Sequence, residues 1–192
     1  MNHSGTRQSL KTMDHVTTGI SKFRVARAFS GADDYDRYAH VQRVAARVLA
    51  RRIASLGLPD NPRILEIGCG TGFLSMALQE EGVTGDFLLT DLAPAMVERA
   101  RARFGDGASY AVLDGEFGTP VGGPFDLICA SLVTQWFTDE PAALARWQDW
   151  LTPDGHIMVA TLGPETFAEW RDAHHAEGLC PGTLDFTPQE AF

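Results

Sequence analysis

Glu66-Ile67-Gly68-Cys69-Gly70-Thr71-Gly72 decides the fold. The stretch stands between an apolar run at 63–67 and a helical pattern at 73–80, where a buried strand turns into a helix. Alternating glycines allow a tight turn and close approach of backbone to a ligand, and the helix N-terminus behind them favours an anionic group. A dinucleotide fingerprint, GxGxxG, would place glycine at position 73. Phe73 stands there instead. What remains is a GxGxG turn preceded by an acid, which by itself fits either a ligand loop or a structural bend.

Outward from this loop, strands and helices alternate. Strands are predicted at 63–67, 86–90, 109–113, 125–130 and 156–161, and helices at 73–80, 94–103, 141–151 and 164–177. Apolar strands of this length separated by helices predict an α/β fold, a doubly wound and mainly parallel Rossmann-like sheet covered on both faces, with ligands beyond the strand carboxyl ends. Two acids stand at those ends. Asp91 closes the second strand nineteen residues after Gly72, where a carboxylate can accept from ribose hydroxyls or cap the helix that Pro94 opens. Asp114-Gly115-Glu116-Phe117 follows the third strand, as a ligand contact or as an ordinary Asp-Gly turn.

Upstream, residues 1–21 are polar and without period, which predicts a flexible tail. A single domain is expected over 22–192, with a helical cap at 22–57 and the α/β core at 62–192. Within the cap, Val41, Val44, Ala45, Val48 and Leu49 recur at three- and four-residue steps. That spacing predicts that they face the core, with Arg43, Arg47 and Arg51 on the opposite side. Charge is unevenly placed: residues 1–52 carry ten Lys/Arg against four Asp/Glu, the remainder six against twenty-one. The net charge of −9 argues against nucleic acid as a general partner, while the local cations can attract an acidic protein. No apolar stretch approaches the roughly 18 residues of a membrane span and no secretory signal opens the chain, so a cytoplasmic location away from membranes is expected. Cys69, Cys129 and Cys180 are odd in number and far apart, and His174-His175 has no partner at ligand spacing. Neither a disulfide framework nor a metal is expected.

The acid, the GxGxG loop, Asp91 and Asp114, each following a strand, resemble the motifs of the class I methyltransferases. The resemblance implies S-adenosylmethionine as cofactor, its methionyl part on the loop, its ribose at Asp91 and its adenine amino group at Asp114. It also implies a cofactor set of Glu66, Gly68, Cys69, Gly70, Gly72, Asp91, Leu92, Met96, Asp114, Gly115 and Ser131. Other segments are similar to the malonyl-acyl-carrier-protein O-methyltransferases of biotin synthesis. These are Phe29-Ser30-Gly31-Ala32, Tyr35-Asp36, Ala39 and Val41-Gln42, then Ser131-Leu132-Val133-Thr134-Gln135-Trp136-Phe137, and finally Thr161-Leu162-Gly163-Pro164-Glu165-Thr166-Phe167. Thr134 replaces the usual leucine and Tyr38 stands where histidine is common. The likeness runs from Lys22 to Phe186.

That family implies methyl transfer to the free carboxylate of a malonyl thioester borne by acyl carrier protein. A carboxylate whose pKa in water is about 4 is ionised at neutral pH, so no general base is required and catalysis can rest on alignment and exclusion of water. Tyr35, Gln135 and Trp136 are the expected catalytic residues that shape the acceptor pocket, although aromatic residues after a strand also serve as ordinary core. Arg43, Arg47 and Arg51 are the expected carrier contact. The alternatives are a methyltransferase acting on another small carboxylic acid or amine, and a non-catalytic cofactor-binding protein. After the fifth strand, Thr187-Pro188-Gln189-Glu190 reads as the start of a helix and the sequence ends at Phe192. Strands six and seven of the class are therefore expected to be missing, leaving 156–161 as an edge strand without Pro or Lys, open to self-association, and activity weak.

Overall fold

The computed structural model describes residues 22–30 and 35–192. The expected tail at 1–21 and the Gly31-Ala32 pair lie outside the described residues. Five strands, β1 (Arg63–Ile67), β2 (Asp86–Asp91), β3 (Ala108–Val112), β4 (Phe125–Ser131) and β5 (Leu151–Ala160), form one sheet in the order β3-β2-β1-β4-β5. All four pairings are parallel. The chain adds strands in one direction up to β3, then returns to place β4 against β1. A crevice therefore opens at the carboxyl ends of β1 and β4, where open α/β sheets bind their ligands.

Side-chain alternation assigns the two faces. Ile64, Phe87, Leu89, Leu127 and Cys129 point to one face and join the buried residues of α3 (His40–Ala54), α4 (Phe73–Glu80) and α5 (Pro94–Phe104). Leu65, Ile67, Ile128 and Ala130 point to the other, against Trp147 of α6 (Glu140–Gln148), and Phe125 joins them across the irregularity between Phe125 and Leu127. The second face is the thinner one. Where a helix would join β3 to β4, residues 113–124 run as loop. The described chain also has α1 (Lys22–Ser30), the single turn α2 (Tyr35–Tyr38) and α7 (Ala168–Ala176).

Three expectations are corrected. Helix α3 buries Ala46, Leu49, Ala50 and Ile53, whereas Val41, Val44 and Val48 are 62, 46 and 48% exposed. Both sets follow helical spacing, and the inward set is favoured because its small Ala46 and Ala50 let α3 lie close on the sheet beside α4. Strand β5 begins at Leu151 rather than 156, pairing with Phe125 before a shift of register between Phe125 and Leu127. Pro153 and Asp154 thus lie within this edge strand and guard half of it. Along β5 no residue is buried, and α7 buries none either. The expected helix at 187–190 is a short 3₁₀ turn at Gln189–Ala191.

Candidate functional site

The carboxyl ends of β1, β2 and β4 surround an open cleft of about 720 Å³. Its floor is the loop after β1. Gly68 has φ +66°, and a Cβ there would lie 2.4 Å from Val133 Cγ2. Only glycine lets the loop pass beneath the tip of β4. The N–H of Gly70 donates to Asp91 Oδ2 at 2.9 Å, and that of Ala93 to Asp91 Oδ1 at 2.8 Å. Asp91 thus closes a turn just ahead of α5, whose N-cap is Ala93, and ties down the glycine loop while its carboxylate still lines the cleft. Burial raises its pKa, against the backbone N–H groups that lower it.

Of the cofactor residues expected from sequence, Gly68, Gly70, Asp91, Leu92, Met96, Asp114, Gly115 and Ser131 all border the cleft, as does Trp136. The remainder support it from beneath. Gly72, at φ 86°, is the N-cap of α4. Cys69 is buried under the loop, and burial pushes its thiol well above the ordinary range. Glu66, 2% exposed, lies between the loop and α4 with Oε2 lacking a hydrogen-bond partner. Burial pushes its carboxyl up to about 8, Ser75 opposes that shift and the Asp91 charge adds to it. Ser131 Oγ, at the cleft, is also buried without a partner, a free polar atom for a ligand to meet.

Gln135 does not border the cleft. Its Nε2 donates to the carbonyl of Leu132 at 2.9 Å. Leu132 itself has φ 55°, a strained value for a residue with a side chain, and its N–H donates to the Ala160 carbonyl at 2.7 Å. Gln135 therefore holds a bent backbone in place, and Leu132, Val133, Trp136 and Phe137 present the apolar wall that results. Tyr35 opens α2, but its side chain lies outside the described residues.

Sequence reasoning missed Lys22. Its Nζ lies 2.6 Å from Asp114 Oδ1 and 2.7 Å from Glu116 Oε2, and 4.0 Å from the centre of the Phe117 ring. This cation fastens α1 across the Asp114 end of the cleft, where Val25 also contributes to the lining. Glu116, fully buried, accepts from the N–H groups of Thr138 and Asp139 at 2.8 and 2.9 Å and so joins the loop after β3 to the start of α6. A second clamp holds α2: Asp36 accepts from the Thr71 hydroxyl at 2.7 Å and pairs with Arg103. Partial burial alone would raise the Asp36 carboxyl, and Thr71 and Arg103 outweigh it. Arg43 is drawn into the same clamp. It donates to the Asp36 carbonyl at 2.6 Å and lies over the Phe73 ring, so it is not a surface cation.

The cleft suits S-adenosylmethionine: a glycine floor where backbone approaches closely, carboxylates at the two expected positions, and Leu92, Met96 and Leu113 as apolar wall. Comparison with known proteins agrees. Residues 35–188 match the methyltransferase domain family. The biotin biosynthesis bifunctional protein BioCD of Bordetella avium is 47% identical over 165 residues, 85% of this chain and 36% of that protein. The malonyl-[acyl-carrier protein] O-methyltransferase of Magnetococcus marinus is 44% identical over 166 residues, 85% of this chain and 61% of that protein. The chain thus spans from about a third to three fifths of the length of these relatives. A solved S-adenosylmethionine dependent methyltransferase from Mesorhizobium loti superposes with a TM-score of 0.52 at 31% identity, covering 62% of this chain and 55% of that one. With the glycine loop, the strand-end acids and a family match over most of its length in agreement, the chain belongs to the methyltransferase domain family, whose cofactor is S-adenosylmethionine.

Proposed function

We propose that the chain takes part in methylation of the free carboxylate of a malonyl thioester carried by acyl carrier protein, in biotin synthesis. One observation carries the reading: the Leu132 to Phe137 wall, which resembles the carrier-protein enzymes in sequence, stands at the mouth of the cofactor cleft. The relatives from Bordetella avium and Magnetococcus marinus support it by their names.

S-adenosylmethionine, when bound, supplies a methyl group on a positively charged sulfur. An acceptor carboxylate would take that methyl group in place of the sulfur, with no proton to be moved. The residues of the wall contribute position and dryness. Trp136 and Phe137 exclude water from the line of attack, which strengthens the attraction between acceptor and donor. Gln135, through the Leu132 carbonyl, fixes the wall. Asp91 and Asp114 would hold the ribose and the adenine amino group, and the Gly68 to Gly70 backbone the methionyl part. No side chain need act as a base, because the acceptor is already ionised.

The test is label transfer from methyl-labelled S-adenosylmethionine to malonylated carrier protein, beside free malonate and malonyl-coenzyme A. Preference for the carrier-bound acid supports the proposal. Labelling of free acids or amines alone would assign the site to a small acceptor instead.

A further inference from the structure

Helix α3 is apolar on two faces, and among the described residues only one of them is buried. Ala46, Leu49, Ala50 and Ile53 pack inward. Val41, Val44 and Val48 point the opposite way, at steps of three and four residues, and are 62, 46 and 48% exposed. They make a stripe two helical turns long, about 10 Å from end to end. Three outward valines do not help an isolated helix, since β-branched side chains lower helix propensity. Around the stripe stand exposed Arg37, Arg47, Arg51 and Arg52. Arg51 reaches Glu81 at 3.3 Å, but with its side chain 69% exposed the pair is weak and readily exchanged. Val41 lies at the end of α3 next to α2, which Asp36 fastens to Thr71 of the glycine loop. The stripe therefore starts beside the cofactor site and runs away from it.

We infer that the outward face of α3, Val41, Val44 and Val48 with Arg37, Arg47, Arg51 and Arg52 around them, docks an acidic amphipathic helix of the carrier protein that bears the substrate. The inference rests on the proposed carrier-bound acceptor. Charge complementarity selects this occupant: the apolar stripe has cations around it, so the matching surface is an apolar ridge with carboxylates beside it. Anchors at i, i+3 and i+7 are the spacing with which one helix reads another. Valines give affinity and arginines give association rate and salt dependence. An extended thioester arm then bridges from the docked carrier to the cleft, and Arg43, turned inward, takes no part.

Binding is the primary readout, so the test survives a failure of turnover. Calorimetry with malonylated carrier protein compares the full chain with a Val41→Gln, Val44→Gln, Val48→Gln variant and with an Arg47→Glu, Arg52→Glu variant. The valine variant is expected to bind the carrier roughly tenfold more weakly, as for loss of a small hot-spot cluster. The arginine variant should also bind more weakly and lose most of the salt dependence. Affinity for S-adenosylmethionine and melting temperature should be unchanged in both. Unchanged carrier affinity would overturn the inference. So would a lowered melting temperature in the valine variant, which would mean that the stripe packs within the chain. A wild-type dimer in light scattering that the valine variant dissociates would assign the face to a second copy. Carrier binding that obeys these expectations without methylation of the malonyl group would leave the docking face standing and remove the proposed acceptor.

Discussion

Two regions of the sheet are built on opposite plans. From β1 to α5 the strands are sealed: four of the five β1 residues are buried, and α3, α4 and α5 share one core. From β5 to the C-terminus nothing is buried, although the segment carries Phe167, Trp170, Leu179 and Phe192, all more than half exposed. Both segments carry large apolar residues, and the difference in their burial follows their neighbours. Strand β1 has a strand on each side, while β5 pairs with β4 alone among the described residues. The β1 to α5 region is closed off from solvent, whereas the β5 end has a partner strand on one side and no buried residue, and should open locally at lower cost.

Two tryptophans and two acids can break or sharpen this contrast. Trp147, fully buried, donates from Nε1 to the Gly115 carbonyl at 2.8 Å and packs against β1 and β4. Trp147→Ala should cost about 3–5 kcal/mol by denaturant unfolding, the largest effect expected here. A smaller loss would mean that the second face is looser than its packing implies.

Glu66 tests the sealed region through pH. Its folded pKa of about 8 lies above the unfolded value near 4.5, so between these values the folded state holds the extra proton. Stability therefore falls as pH rises through that window, by up to about 1.4 kcal/mol per pH unit, and levels off above it. Glu66→Gln should flatten that slope and be the more stable protein at pH 9, measured by unfolding at pH 5, 7 and 9. Parallel curves would show the carboxyl to be hydrated.

At the cleft, Asp91→Ala should weaken S-adenosylmethionine binding by roughly 1.5–3 kcal/mol, about ten- to over a hundredfold, read by calorimetry. Because the N–H groups of Gly70 and Ala93 lose their acceptor, the melting temperature should fall as well. Unchanged affinity would remove Asp91 from the cofactor site. The smallest effect belongs to Trp170, 54% exposed, whose Nε1 donates to the Pro181 carbonyl at 3.0 Å. Trp170→Ala should cost less than about 1 kcal/mol. A loss equal to that of Trp147→Ala would abolish the contrast.

The parts of the site legible in the sequence are those fixed by local rules. Gly68, Gly70, Asp91 and Asp114 could be placed because strand ends and glycine turns are set by neighbouring residues. The inward face of α3 could not, since Val41-Val44-Val48 and Ala46-Leu49-Ile53 satisfy the same period and only packing chooses between them. Lys22 meets Asp114 and Glu116 across more than ninety residues of chain, and no spacing rule reaches that far. Gln135 was expected to shape the pocket but does not border the cleft, and its part as a brace was not legible because the bend at Leu132 that it holds has no signature in sequence. The start of β5 was not legible because Pro153-Asp154-Gly155, unlike the apolar run from 156, forms an irregular stretch of strand.

The bend at Leu132 also bears on how the family can vary. A left-handed residue at 132 precedes the valine whose methyl groups crowd Gly68, so the glycine at 68 and the conformation at 132 are one solution to one spatial problem. Neither can drift alone. A side chain at 68 requires a smaller residue at 133 and a chain that leaves β4 along another path, which in turn releases the Leu132 carbonyl from Gln135. Position 68, distant in the chain from 132, 133 and 135, should accordingly change together with them in descendants of this fold or not at all.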